Sequence, residues 1–122
     1  APLPRRLALP IGRRMQMVEL DELDCALAQA NYVELKVGTR SFVLRETISG
    51  FHARLDPQRF LRIHRSVIVR IDAIREVEPL ASGRYRVNLH SGQRLLSGRS
   101  YRDALRAALG LSGEIALTRI SA

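Results

Sequence analysis

The stretch from Arg59 to Arg70, Arg-Phe-Leu-Arg-Ile-His-Arg-Ser-Val-Ile-Val-Arg, limits the possible folds of this chain more than any other. Phe60, Leu61 and Ile63 stand on one side of a polar cluster, and Val67, Ile68 and Val69 on the other. Short apolar runs rich in β-branched and aromatic residues read as buried strands rather than helices. Two strands therefore flank a short basic connection, Arg62 to Ser66. A rigid scaffold presenting guanidinium and hydroxyl donors on a loop suits the recognition of phosphates or base edges.

Charge points the same way. The formal net charge is +8, and all but one of the 20 basic residues are arginine, Lys36 being the exception. Arginine forks to phosphate and guanine as lysine cannot. The excess favours a polyanionic partner, nucleic acid ahead of a membrane surface. With 122 residues the chain suits one domain that buries its own core. It has neither the ~18-residue apolar run of a membrane span nor an opening signal-peptide pattern. The single cysteine, Cys25, sits in Cys-Ala-Leu-Ala and reads as a buried thiol in a reducing, cytoplasmic setting. The chain opens on Ala1 rather than methionine, so a longer parent protein is expected.

Residues 1–12, with three prolines, read as a linker or tail. Arg13 to Leu20 reads as a first strand, Asp21 to Asp24 as a short acidic turn or single helical turn, and Cys25 to Ala30 as an apolar run of either type. Val33, Leu35 and Val37 alternate with Glu34 and Lys36 and close at Gly38-Thr39, with Ser41 to Arg45 returning as hairpin partner. Ile48, Phe51 and Leu55 are spaced for a two-turn helix that Asp56-Pro57 ends. Past the central strands, Asp72 to Pro79 is a strand. Tyr85, Val87 and Leu89 alternate with Arg84, Arg86, Asn88 and His90, and Ser91-Gly92 turns into Arg94 to Leu96. Ser100 is expected to N-cap a last helix, whose apolar stripe is Tyr101, Ala104, Leu105, Ala108 and Leu109 and whose stop is Gly110. Residues 111–122 read as a tail.

Catalytic chemistry has little support. His52, His64 and His90 lack the spacing of a metal site, and no phosphate-binding glycine loop or nucleophile elbow occurs. His64 beside Ser66 has cations rather than a carboxylate next to it, so nothing in the sequence orients it as a base. No catalytic residue, metal or cofactor is expected. Two basic clusters remain, Arg62, Arg65 and Ser66 in one connection and Ser97-Gly98-Arg99-Ser100 in another, the second running into a helix N-terminus that favours an anion. The bland alternative pairs these arginines with Asp72, Glu76 and Glu78 on a solvated face.

Phe60-Leu-Arg-Ile-His-Arg-Ser-Val-Ile-Val, then Ile74, Gly83-x-Tyr85-x-Val87-x-Leu89 and Gly92, then Ser97-Gly-Arg-Ser-Tyr-Arg102 form an ordered set. Together with Ala30 to Glu34 and Leu44 to Ile48, this set resembles the LytTR DNA-binding domain from Arg13 to about Leu109. The resemblance implies a mainly β fold, an elongated sandwich of small antiparallel sheets with one short internal helix and a C-terminal helix, folded over 13–110. It implies double-stranded DNA binding in bacterial transcription regulation, with loops entering the major groove and the DNA bent. Carried over by position, base contacts fall to Asn31, Tyr32, Arg65 and Arg99, and backbone contacts to Arg62, His64, Ser66, Ser97, Ser100 and Arg102. An upstream receiver or other signal-input domain, repeated promoter sites and a homodimer on DNA belong to the same implication, with no membrane contact. Arg70 and Gly98 depart from the family pattern. Single-stranded RNA binding on a β surface and a protein-interaction or sensory module are the alternatives.

Overall fold

The computed structural model describes residues 4–111. Its strands are β1 (Arg6–Ile11), β2 (Arg14–Glu19), β3 (Leu23–Gln29), β4 (Tyr32–Val37), β5 (Arg40–Leu44), β6 (Phe60–His64), β7 (Val67–Arg70), β8 (Ile74–Pro79), β9 (Tyr85–Leu89) and β10 (Arg94–Leu96). Two α-helices are interposed, α1 (Ile48–His52) between β5 and β6, and α2 (Arg102–Leu109) after β10. The strands form three antiparallel sheets: the hairpin β1-β2, a five-stranded sheet in the order β5-β4-β3-β7-β6, and a three-stranded sheet in the order β10-β9-β8. The fold is mostly β, as the alternating patterns imply.

Burial follows the pleat. In β4, Val33, Leu35 and Val37 are buried and their neighbours are not. In β7, Val67, Ile68 and Val69 are buried in succession, so this strand is covered on both faces. Ile68 joins one core layer with Leu7, Leu9, Val18 and Leu20 of the hairpin end and Ile48, Phe51 and Leu55 around α1. Val67 and Val69 join a second layer with Cys25, Ile63, Tyr85, Val87, Leu89, Leu95 and Leu105. The five-stranded sheet thus separates two apolar layers, and each fully buried Leu or Phe contributes about 1.5–3 kcal/mol.

Four expectations need correction. Residues 1–12 are not simply a linker: Arg6–Ile11 pairs with Arg14–Glu19 from Arg6↔Glu19 to Ile11↔Arg14, and Leu7 and Leu9 are buried. Pro10 is tolerated because a two-stranded ribbon leaves each strand an open edge where a missing N–H costs no ladder bond. The helix read as two turns from Ile48, Phe51 and Leu55 spans five residues and ends at His52, and Thr47 caps it by accepting a hydrogen bond from the Gly50 N–H at 3.0 Å. Ser100 does not cap the last helix. It lies in a 3-10 turn, Arg99–Tyr101, that runs directly into α2 without a side-chain cap. Ala104 and Ala108 are exposed, so the buried stripe of α2 narrows to Leu105, flanked by partly buried Tyr101 and Leu109. Gly110 does end the helix, in the left-handed conformation at φ 66°. Apart from Leu111, the expected tail 111–122 lies outside the described residues.

Candidate nucleic-acid interface

The register of the five-stranded sheet gathers two turns at one end. β3 pairs β4 up to Gln29↔Tyr32 and pairs β7 at Leu27↔Val67, and the Ala28 N–H donates to the Ser66 carbonyl at 2.8 Å. The Ala30-Asn31 turn and the Arg65-Ser66 turn are therefore neighbours. Ala30 adopts φ 53°, a conformation that L-residues with a side chain avoid, so the chain reverses within two residues. Asn31 is exposed, and Tyr32 retains 47% exposure at the start of β4. Arg45 follows Leu44, whose partner is Val33, and is exposed at the same sheet end; its position there emerges only from the register.

The basic connection is narrower than the sequence suggests. Arg62 and His64 belong to β6, and only Arg65 and Ser66 form the turn. A bulge between Arg62↔Ile68 and His64↔Val67 resets the pleat next to that turn. The Ser66 backbone N–H donates to His64 Nδ1 at 3.1 Å, and the Ser66 hydroxyl lies 2.8 Å from the same nitrogen. A nitrogen that accepts from a backbone N–H must offer a lone pair, so the ring is neutral with its proton on Nε2. Burial first, then the charges of Arg65 and Arg84, hold the His64 pKa below the ordinary histidine value and favour this state. Arg62 is turned inward: Nη1 donates to Ser49 Oγ of α1 at 3.0 Å and Nη2 to the Arg65 carbonyl. It braces the turn from behind, leaving Arg65 exposed.

The second cluster docks onto the first. The Gly98 N–H donates to the Ile63 carbonyl at 2.8 Å, and the Tyr101 N–H donates to the Gly98 carbonyl at 3.1 Å. A Cβ on Gly98 would stand 3.3 Å from both His64 Cδ2 and Tyr101 Cδ2, tighter than ordinary packing. Glycine here permits the close approach of the two segments. Arg99 and Ser100 are exposed just beyond this seam. Arg102 is exposed too, and its Cδ lies 3.5 Å from where a Cβ on Gly83 would be.

Ser97, expected to contact the nucleic-acid backbone, is instead fully buried, and its hydroxyl accepts from the Tyr85 N–H at 2.8 Å. This corrects its role: it ties β10 to β9. Arg70 is also a scaffold residue, with Nε donating to the Leu23 carbonyl at 3.0 Å and Nη2 near Asp24 Oδ1 at 3.4 Å. The arginines that neutralise Glu76 and Glu78 are Arg75 and Arg86. Among the described residues, Arg65, Arg84, Arg99 and Arg102 have no ion pair. The expected pairing with Asp72, Glu76 and Glu78 is therefore not made by these four arginines.

Arg84 stands just before β9, and sequence alternation marks it only as an outward-facing residue rather than a site residue. Its charge is one of the causes that hold the His64 pKa down. Among the described residues no group of three or more His, Cys, Asp or Glu stands arranged to hold a metal ion.

The molecule is thus a mostly β module that carries unpaired arginines on braced turns. Residues 13–110 match the LytTr DNA-binding domain family model, and the chain is a member of that family. Over 104 residues, 85% of this chain and 43% of the relative, it is 25% identical to the sensory transduction protein LytT of Bacillus subtilis. It is 30% identical over 105 residues to the transcriptional regulatory protein LytR of Staphylococcus aureus, covering 77% of this chain and 42% of that protein. A solved LytTr DNA-binding domain from Bacillus cereus superposes with TM-score 0.80 at 20% identity, covering 88% of this chain and 98% of that one. The chain thus spans less than half the length of these curated relatives.

Proposed function

We propose that this domain binds double-stranded DNA in a sequence-specific manner as the output module of a bacterial transcription regulator. The observation that carries the reading is the seam of Gly98 against Ile63 and His64, which holds Arg65 and Arg99, both exposed and unpaired, on separate braced segments. Two guanidinium forks fixed relative to one another suit base edges in the major groove, each worth about 1–3 kcal/mol if bidentate to guanine. Asn31 and Tyr32 extend the contact from the neighbouring turn, and Ser100, Arg102 and the polar edge of Ser66 and His64 face the backbone. Deforming the duplex would let the loops engage successive grooves. Membership of the LytTr family and the regulatory names of its relatives support this assignment.

The shorter span relative to those proteins supports fusion to an upstream signal-input domain, and a cytoplasmic regulator acting as a pair on repeated sites fits the same reading. RNA stacking is poorly served: Phe51 and Phe60 are fully buried and Tyr85 nearly so, leaving Tyr32 as the exposed aromatic among the described residues. Selection of bound duplexes from a random library, followed by gel-shift titration, tests the proposal. Arg99→Ala is expected to erase discrimination between selected and random duplex, whereas Arg102→Ala should weaken both about equally. An unchanged specificity ratio in Arg99→Ala would remove Arg99 as a reader, and flat salt dependence of the wild type would overturn DNA binding itself.

A further inference from the structure

The β8–β9 connection brings a third basic element beside the two arginine turns. Ser82, at φ 66°, and Gly83, at φ 78°, turn the chain sharply into Arg84. Arg102 of α2 packs its methylenes over the Gly83 position, so Arg84 and Arg102 are neighbours although 18 positions separate them in sequence. The Arg84 charge, with that of Arg65, also contributes to holding the His64 pKa down. Arg84 is half-buried, and its Nε is buried without a hydrogen-bond partner. The nearby carboxylates are already committed: Glu76 and Glu78 accept from Asn88 Nδ2 at 3.0 and 2.6 Å and face Arg75 and Arg86.

An arginine held half-buried among other cations, with a buried donor unmet, is unfavourable in the free protein. A phosphate would supply the negative charge, and its oxygens would accept from the Nη groups at the accessible end of the guanidinium. We infer that Arg84 is a further DNA-backbone contact, gripping a phosphate beside Arg102. The inference rests on the DNA-binding reading and adds a third connection, β8–β9, to the interface.

The free and bound states make opposite demands on this side chain, and that contrast gives the test. Arg84→Met removes a crowded charge and an unmet donor, so the free domain should melt no lower than wild type. Its His64, followed by NMR titration, should titrate at higher pH. Affinity for selected and random duplexes should fall together, by roughly tenfold, and the log–log salt slope should become shallower by about 0.9. Arg84→Lys keeps the charge and should retain the wild-type slope. If Arg84→Met binds DNA with wild-type affinity and slope, the assignment is wrong. A lower melting temperature with both binding parameters unchanged would make Arg84 a structural residue instead. Failure of the wild type to bind any duplex at low salt would be a different result, overturning the DNA-binding reading on which the assignment stands.

Discussion

His64 shows how one side chain can serve the scaffold and the interface together. Neutral, it accepts the Ser66 N–H at Nδ1 and presents its ring edge to Gly98, which fixes both the Arg65 turn and the Arg99 segment. Protonation removes that acceptor and adds a cation beside Arg65 and Arg84. Because the folded-state pKa lies below the unfolded value of about 6.5, the unfolded chain binds protons more readily in this range. The stabilising contribution is therefore complete above about pH 6.5 and is lost as pH falls towards the folded-state pKa. His52 has the same sign, through burial and then Arg62. Urea unfolding of the domain should accordingly show stability declining from pH 7 to pH 5.5, above the ordinary range of carboxylate titration. His64→Asn keeps an acceptor near the Nδ1 position and cannot titrate, so the decline should be shallower in that variant. An identical pH profile would mean that His64 does not contribute to the decline.

At the scale of elements, the first hairpin is where sequence reasoning and structure part most clearly. Three prolines before residue 11 suggest a tail, yet the alternation Leu7, Leu9 carries β1 into the core beside Val18 and Leu20. Deleting residues 1–12 removes both leucines and leaves β2 unpaired, so stability should fall by about 3–6 kcal/mol, read as a lower urea midpoint. An unchanged midpoint would return this segment to the status of a tail. Elsewhere local patterns were sufficient. Tyr85, Val87 and Leu89 alternate as read, the Gly38 turn joins β4 to β5, and the Ile48, Phe51 and Leu55 cluster is buried. Long-range pairing was the illegible part. Ser97 looks like any loop hydroxyl until Tyr85, twelve residues earlier, is seen to donate to it. Arg62 looks like a free cation until Ser49 and the Arg65 carbonyl are found in its reach. The basic turns were legible because charge clustering is local; which arginines remain free was not, because that depends on where Glu76, Glu78 and Asp24 find their partners.

For the molecule as a whole, the arrangement of layers decides how stability is shared. β3 and β7 lie at the middle of the five-stranded sheet and contribute side chains to both apolar layers, Ala26 and Ile68 to one, Cys25, Val67 and Val69 to the other. Losing either layer strips one face of the same strands, so the two cannot melt independently without exposing the sheet between them. Cys25 reports on this coupling. It is 1% exposed, and burial, reinforced by Asp24, pushes its thiol pKa up to about 12. The native thiol is therefore protonated at pH 8 and shielded from reagent, while in the unfolded chain it titrates near its ordinary value of about 8.5. Labelling with an aromatic disulfide at pH 8, under conditions where reclosing outpaces reaction, should proceed through unfolding alone. The opening free energy obtained from its rate should match that from urea denaturation, and deletion of residues 1–12 should lower both by the same amount. Labelling many-fold faster than global unfolding allows would instead show that the layer holding β8, β9, β10 and α2 opens by itself, and with it the seam that fixes Arg99 against Arg65.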